Sequence, residues 1–361
     1  MQFVEVAFAD PNLVADPDNT TVAFPSSFDW ENMLAEFRAL GGVADNVAPA
    51  PDRSGRGLFP RNPDKPFLLR MPDNLLFPDN DVEFVDQQIR IRNDASIGAA
   101  ERAFFERYQN AFSWGAGGRA EGARLVEQFE SLPAELSAIL VTDFGMSRLI
   151  DGDRAERISR YFLRSRTIRW NSENVLMPLI DLINFRSDGM RLSSDPEGHV
   201  QIEGDARGEI LVAHGLHDSL GTFNKFGFAS ARPHAYSLPM RTKVGTSELA
   251  IGRNVMANAR RDGFAIPEMR SEGTGLHLSY LMIGHPRSPR LSRGIFDALM
   301  REANTSGAQA AFDTILLVNR TKFLRLLETL EPHDGELIRQ LRMMAYFQLE
   351  AMTHCVGSRE L

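Results

Sequence analysis

Cysteine is almost missing from this sequence: Cys355 is the only one in 361 residues. That excludes a disulfide framework within one chain and any zinc cluster built from several cysteines. It also fits a reducing, cytoplasmic compartment. Long apolar runs are lacking too, so no membrane-spanning helix is expected. The start, Met1-Gln2-Phe3-Val4-Glu5, has neither the basic residues nor the apolar stretch of a signal peptide. Nor is there a surplus of positive charge. Forty Lys and Arg against 48 Asp and Glu leave a net charge of −8, and the pI is near 5.6. Phosphate-driven nucleic-acid binding needs a concentrated basic face, so it is excluded as the main task. The expected partner is a protein or a small molecule, with no nucleic acid, no membrane, and the oligomeric state left open.

What is present suits a folded protein. Hydrophobic residues make up 43% and charged residues 24%, and the 24 Phe among many Leu and Ile supply enough apolar surface to offset chain entropy. The length suggests two or three domains. Residues 1–27, interrupted by Pro11, Pro17 and Pro25, read as an irregular lead-in with an edge strand at Gln2 to Phe8 as one option. Trp30, Leu34 and Phe37 then recur at helical spacing, with Asp29 as a plausible N-cap and Gly41-Gly42 as the stop.

Within residues 28–96, the first part of one domain, the texture changes from Val43 to about Phe84 to short apolar runs between turn residues: Leu58-Phe59, Phe67 to Met71, and Leu75 to Phe77, read as strands. Residues 97–162 read as helical, with Phe104, Phe105, Tyr108 and Phe112 in one stripe and Pro133 opening a later turn. Strands return over 163–244 at Val175 to Met177, His199 to Ile202 and Ile210 to Val212. From Gly245 to the end a helical domain is expected. Phe312, Ile315, Leu316, Asn319, Phe323, Leu326, Leu327 and Leu330 line one face there, and Leu337, Ile338, Leu341, Met344 and Phe347 line a second.

Standard local motifs are absent. Gly115-Ala116-Gly117-Gly118 approaches a dinucleotide fingerprint, but the segment before it reads as helix rather than strand, so it is expected to join two helices. His214-Gly215-Leu216-His217-Asp218 has metal-ligand residue types, with His214, His217 and Asp218 as the alternative to an ordinary surface turn. The surface turn is the preferred reading, and no resident metal is expected. There is no GxSxG elbow, and Cys355 has no catalytic context.

A longer series carries more information. Ser54-Gly55-Arg56-Gly57-Leu58-Phe59 is followed by Leu68-Leu69-Arg70-Met71-Pro72 and Asn74-Leu75-Leu76-Phe77. After the helical stretch come Leu163-Arg164-Ser165-Arg166, then Val175 to Asn184 ending in Asp181-Leu182-Ile183-Asn184. Gly208-Glu209-Ile210-Leu211-Val212-Ala213-His214-Gly215 and Phe226-Gly227-Phe228 complete it. In this order the series resembles the SET-domain protein methyltransferases of the RuBisCO large-subunit methyltransferase type, over residues 28 to 355. The resemblance implies an α+β protein: a SET-domain β-fold of short strands with a helical insertion, followed by an all-α C-terminal domain that recruits a protein substrate.

The resemblance also implies roles. Ser54, Arg56 and Leu58 would lie beside S-adenosylmethionine, with Gly55 and Gly57 allowing close approach of the backbone. Asn184 would contact the methionine portion of that cofactor and the backbone of Phe185 its adenine, where the family has His at 185. Ser165 and Arg166 would border the cofactor and the substrate channel, the arginine suited to a carboxylate. Asp181 would face the substrate lysine, the alternative being an N-cap or turn carboxylate. His214 and Phe226 stand where the family has active-site tyrosines, so both phenolic hydroxyls are missing. His214 offers a hydrogen-bonding group or base in exchange, with Tyr236 weighed as a second phenol and read as packing. The expected function is therefore an S-adenosylmethionine-dependent protein N-methyltransferase, lysine-directed, with an atypical reacting centre. The alternative is an inactive homologue acting as a cofactor- or protein-binding module.

Overall fold

A computed structural model describes residues 27–50, 57–171, 173–213, 217–255, 266–272, 275–285 and 289–353. The lead-in with its expected edge strand, Ser54, Arg56, His214 and Cys355 lie outside the described residues. The chain forms two compact units, each made from two stretches: Met1–Gly117 with Arg169–Val212, and Gly118–Ile168 with Ala213–Leu361. None of the described helices is long and apolar enough to cross a membrane.

The first unit opens with helix Ser27–Ala39. Trp30, Leu34 and Phe37 are buried along it, as their spacing predicts. It begins two residues before the expected N-cap, so Asp29 sits inside the first turn, where a carboxylate meets the positive end of the helix. The stop is as expected: Gly41 takes φ +93°, and a Cβ on Gly42 would lie 2.3 Å from the Phe37 ring. Strand Phe67–Met71 buries Phe67, Leu69 and Met71 on alternate positions and lies inside a four-stranded sheet. Its neighbours there are Val43–Asp45 and Val200–Gly204, both antiparallel, with Leu69 opposite Ala44 and Ile202. Strand Glu173–Leu176 pairs with Phe77–Pro78. The hairpin Val82–Val85 and Gln88–Ile91 turns through Asp86 and Gln87, both at positive φ, the geometry that matches strand twist in a two-residue turn.

The aromatic stripe of helix Ala99–Tyr108 supplies much of this unit's packing. Phe104, Phe105, Tyr108 and Phe112 are all buried. Phe105 meets Phe77 at 4.3 Å between ring centroids, and Phe112 meets Trp30 edge-on at 5.6 Å. The helix widens into a π-helical stretch, Gln109–Gly118, which kinks at Ala116 and Gly117. Gly115 is required there, because a Cβ would fall 1.5 Å from the Asn110 carbonyl oxygen. The glycine cluster thus joins helix to helix, as expected.

The second unit contains helices Arg119–Glu130, Ala134–Phe144 and Arg154–Arg166, then Ser219–Phe226. Its last part corrects the expectation of an all-helical region from Gly245. Strands Met240–Val244, Ser247–Ile251, Gly275–Leu278 and Met269–Glu272 form a four-stranded sheet, and Ala235–Tyr236 pairs with Met282–Gly284. The physical reason is a period of two. Val244, Leu249, Ile251, Leu276 and Leu278 are buried on alternate positions, and Gly245 at φ +60° closes a hairpin where a helix would have to continue. Helices begin again at Pro289: Pro289–Glu302, Ala308–Leu330 and Glu336–Thr353. Their apolar faces share one core, with Phe323 against Phe144 at 5.0 Å and Phe296 against Phe312 at 5.7 Å. The chain is therefore α+β, with short strands on either side of a helical stretch and helices at its C-terminal end.

One polar residue in that apolar stripe has a defined task. Asn319 is fully buried; its carbonyl accepts the Leu238 N–H at 2.7 Å, and its amide donates to the Ile315 carbonyl at 2.8 Å and to Ser237 Oγ at 3.1 Å. Replacing it by Leu keeps the volume but leaves the Leu238 N–H buried and unpaired. Asn319→Leu is expected to cost about 1–3 kcal/mol in chemical denaturation, against a change near zero for a Leu324→Gln control on the exposed face of the same helix.

Candidate functional site

In the first unit, segments far apart in sequence meet at Gly57. The Leu58 carbonyl accepts the Ile210 N–H at 2.7 Å, which fixes the segment Gly57–Pro60 beside Glu209 and Ile210. Strand Asn184–Met190 pairs in parallel with Leu211–Val212, setting Asn184 opposite Leu211 and Phe185 opposite Val212. The Asn184 amide nitrogen donates to Glu209 Oε1 at 2.6 Å. This pair lies over Gly57, where a Cβ would be 2.5 Å from Glu209 Oε1 and 3.3 Å from the Asn184 amide nitrogen. Leu58 is fully buried, whereas Asn184, Phe185 and Glu209 are half-buried. The structure therefore brings Leu58, Asn184 and Phe185 together. Glu209 was missed among the candidates: a Gly-Glu turn before a strand carries no signal that its carboxylate faces a distant asparagine.

Asp181 is placed just before this cluster by a strained turn. Leu179, buried, takes φ +69°, rare for a branched side chain, and leads into the short turn Ile180–Leu182. The buried Asp181 carboxylate accepts hydrogen bonds from Tyr108 Oη, from Gln109 Nε2 at 3.0 Å and from Ser113 Oγ at 2.9 Å. All three donors come from the aromatic helix and its π-helical continuation, so that irregular stretch is shaped around one carboxylate. Asp181→Ala removes the shared acceptor of three buried donors and is expected to lower stability by about 1.5–3 kcal/mol. Asp181→Asn, which keeps only part of the acceptor capacity, should fall between it and the wild type in urea denaturation.

In the second unit Ser165, Arg166 and Phe226 share one neighbourhood. Ser165 Oγ donates to the Phe162 carbonyl at 3.0 Å, and the Arg166 guanidinium pairs with Glu121 at 3.4 Å and lies over the Phe162 ring. Tyr161 Oη donates to the Phe226 carbonyl at 2.9 Å and approaches the same Glu121 at 3.2 Å. The buried Phe226 ring stacks on Phe228 at 5.9 Å and meets His217 edge-on at 6.3 Å. Lys225 donates to the Thr167 carbonyl at 3.0 Å; burial, with Arg164 nearby, pushes its ammonium down to about 8. Tyr236 is core, edge-on to Tyr280 at 5.5 Å.

Asp218 corrects the surface-turn reading. It is buried, accepts the Gly221 N–H at 2.8 Å as N-cap of helix Ser219–Phe226, accepts the Tyr236 N–H at 2.9 Å, and pairs with Arg253 at 2.6 Å. The Asp-Ser pair before an apolar run carried the N-cap signal. Among the described residues, one trio of metal-ligand types gathers elsewhere: Asp195, Glu197 and His199. There Asp195 already serves Arg70 and the N–H groups of its own turn.

Burial pushes the Asp218 carboxyl up, but Arg253 and the two backbone N–H groups outweigh it and hold the group below the ordinary carboxylate range. A depressed folded-state value stabilises the fold above the unfolded value of about 3.9, and that stabilisation is lost as pH falls through the folded value. The stability of Asp218→Asn is therefore expected to fall less steeply below about pH 4 than that of the wild type, while being lower at pH 7.

No family model matches the chain, and no curated protein matches it either. Among solved structures, it is similar to the SET domain of LSMT bound to lysine and AdoHcy, at 14% identity and TM-score 0.42, covering 92% of this chain and 91% of that one. It is similar to Rubisco LSMT bound to AdoMet at 14% identity and TM-score 0.42, over 91% and 90% of the two chains. The SET domain of LSMT bound to methyllysine and AdoHcy gives 14% identity and TM-score 0.40, over 93% and 91%.

Proposed function

We propose that this chain binds S-adenosylmethionine and is a protein N-methyltransferase directed at lysine. The observation that supports this best lies in the first unit. Three segments that the sequence resemblance singles out, around Gly57, Asn184 and Gly208 to Val212, meet at one point. A glycine whose Cβ position is filled by a carboxylate and an amide makes a polar cradle of backbone and short side chains. That fits a nucleoside carrying an amino-acid end.

When bound, S-adenosylmethionine supplies an electrophilic methyl group. Displacement then needs an amine that has lost its proton and points along the sulfur–methyl bond. The protein's contribution is orientation and exclusion of water rather than covalent chemistry. Asn184 and the backbone of Leu58 and Phe185 bind the cofactor, and Asp181 holds the turn that delivers Asn184. Ser54, Arg56, Ser165 and Arg166 keep the cofactor-side roles that the sequence resemblance gives them, and His214 and Phe226 keep their places at the reacting centre. The partner is the protein that carries the modified lysine, recruited by the C-terminal helices.

A second reading, cofactor binding without turnover, is favoured by Phe226. Its buried ring carries no hydroxyl, and the phenol beside it, Tyr161, is engaged by the Phe226 carbonyl. Calorimetry and transfer of a labelled methyl group separate the two. The wild type is expected to bind S-adenosylmethionine, with Asn184→Ala weaker by about tenfold or more, and to label protein in a cell extract. Binding without labelling selects the second reading. Absence of binding overturns both.

A further inference from the structure

We propose that Arg164 and Lys225, with Arg148 at their edge, form a site for a phosphate-type oxyanion in the second unit. This goes beyond the cofactor reading above and does not depend on it. Helix Arg154–Arg166 carries five arginines. Four of them have a carboxylate: Arg154 and Arg157 share Glu130, Arg160 takes Glu156, and Arg166 takes Glu121. Arg164 is the exception. Among the described residues no carboxylate pairs with its guanidinium and no acceptor takes its N–H donors.

The neighbours of Arg164 add positive charge instead of offsetting it. Arg148, on the short helix Ser147–Ile150, lies beside the same face, where its carbonyl accepts from Arg160 at 3.4 Å, one turn before Arg164. Lys225, near the end of helix Ser219–Phe226, reaches the other side of Arg164. Its ammonium donates to the Thr167 carbonyl at 3.0 Å and lies 5.2 Å from the centre of the Phe226 ring. Neither Arg148 nor Lys225 has a carboxylate among the described residues. Arg164 and Lys225 are half-buried, and Arg148 is exposed. Burial, then the Arg148 charge, pushes Arg164 down to about 10; burial, then the Arg164 charge, pushes Lys225 down to about 8. Like charges held together away from water are costly unless an anion answers them. The end of helix Arg154–Arg166 supplies only about half a negative charge, and Lys225 already draws on it. A single carboxylate brings one charge and two oxygens. A phosphate brings about −1.5 to −2 and three acceptor oxygens, which suits a planar guanidinium fork beside an ammonium.

The test titrates the full chain by calorimetry, at constant ionic strength in chloride, with inorganic phosphate and with N-acetyl-phosphoserine amide. The wild type is expected to bind at least one of them with a dissociation constant below about 1 mM. Tighter inorganic phosphate identifies the free ion as the occupant, and the tighter monoester identifies a phosphorylated side chain. Arg164→Gln should weaken that binding about 10–100-fold, the range of a hydrogen bond to a charged group. Because Arg164 has no partner among the described residues, the same variant should keep or raise the wild-type midpoint in urea without phosphate. A merely structural arginine would lower the midpoint and leave phosphate affinity intact, and that result overturns the proposal. So does a wild type that binds neither probe more tightly than about 1 mM. Arg148→Gln should weaken binding about two- to fivefold. Arg154→Gln, on the same helix but answered by Glu130, should leave it unchanged. Equal weakening by Arg154→Gln and Arg164→Gln marks a diffuse charge effect and overturns the site. If Arg164→Gln does not fold, Arg148→Gln decides: an unchanged affinity overturns the proposal.

Discussion

The first unit depends on a buried carboxylate. Ionised or neutral, Asp181 cannot sit in that core without partners, and the chain supplies Tyr108, Gln109 and Ser113. An ordinary α-helix does not put residues 108, 109 and 113 around one point; the π-helical widening from Gln109 does, with Gly115 making room at its end. The same carboxylate anchors the turn in which Leu179 takes an unfavourable left-handed φ. Strain of about 1–3 kcal/mol persists only where the surroundings over-determine it, and here the surroundings are those three donors. Asn184, three residues on, inherits its place from this arrangement.

Much of the fold was legible because packing wrote it into spacing. The alternation in Phe67 to Met71, the aromatic stripe from Phe104 to Phe112 and the faces of the last two helices each have a single period that burial follows. The sheet from Met240 to Leu278 was not read. Its strands are short, and the charged residues Lys243 and Glu248 pair across the hairpin where a longer apolar run would have signalled strands. Asp218 was misplaced for a different reason: a carboxylate between His217 and Ser219 reads as surface, and its burial is made tolerable by partners distant in sequence, Arg253 and the Tyr236 N–H, together with its own cap. Asn319 was read as part of an apolar stripe, and it is the one member whose value lies in its amide.

The site was legible in order but not in chemistry. The sequence resemblance singled out Leu58, Asn184 and Phe185, and these meet. It gave no hint that Glu209 meets Asn184 or that Tyr108, Gln109 and Ser113 surround Asp181, because hydrogen bonds between distant side chains leave no period along the chain.

Position 226 shows how backbone contacts fix the place of a side chain. Helix Ser219–Phe226 is fixed at its start by the Asp218 cap and at its end by Gly227 at φ +77°. A Cβ on Gly227 would lie 2.9 Å from Leu125 Cδ2 and 3.3 Å from Tyr161 Oη, so glycine is held there by both conformation and space. Tyr161 then binds the carbonyl of residue 226, not its side chain. These constraints on position 226 act through the backbone, and the ring adds its contacts with Phe228 and His217. The fixed helix and its two ends set the direction in which the ring leaves the chain.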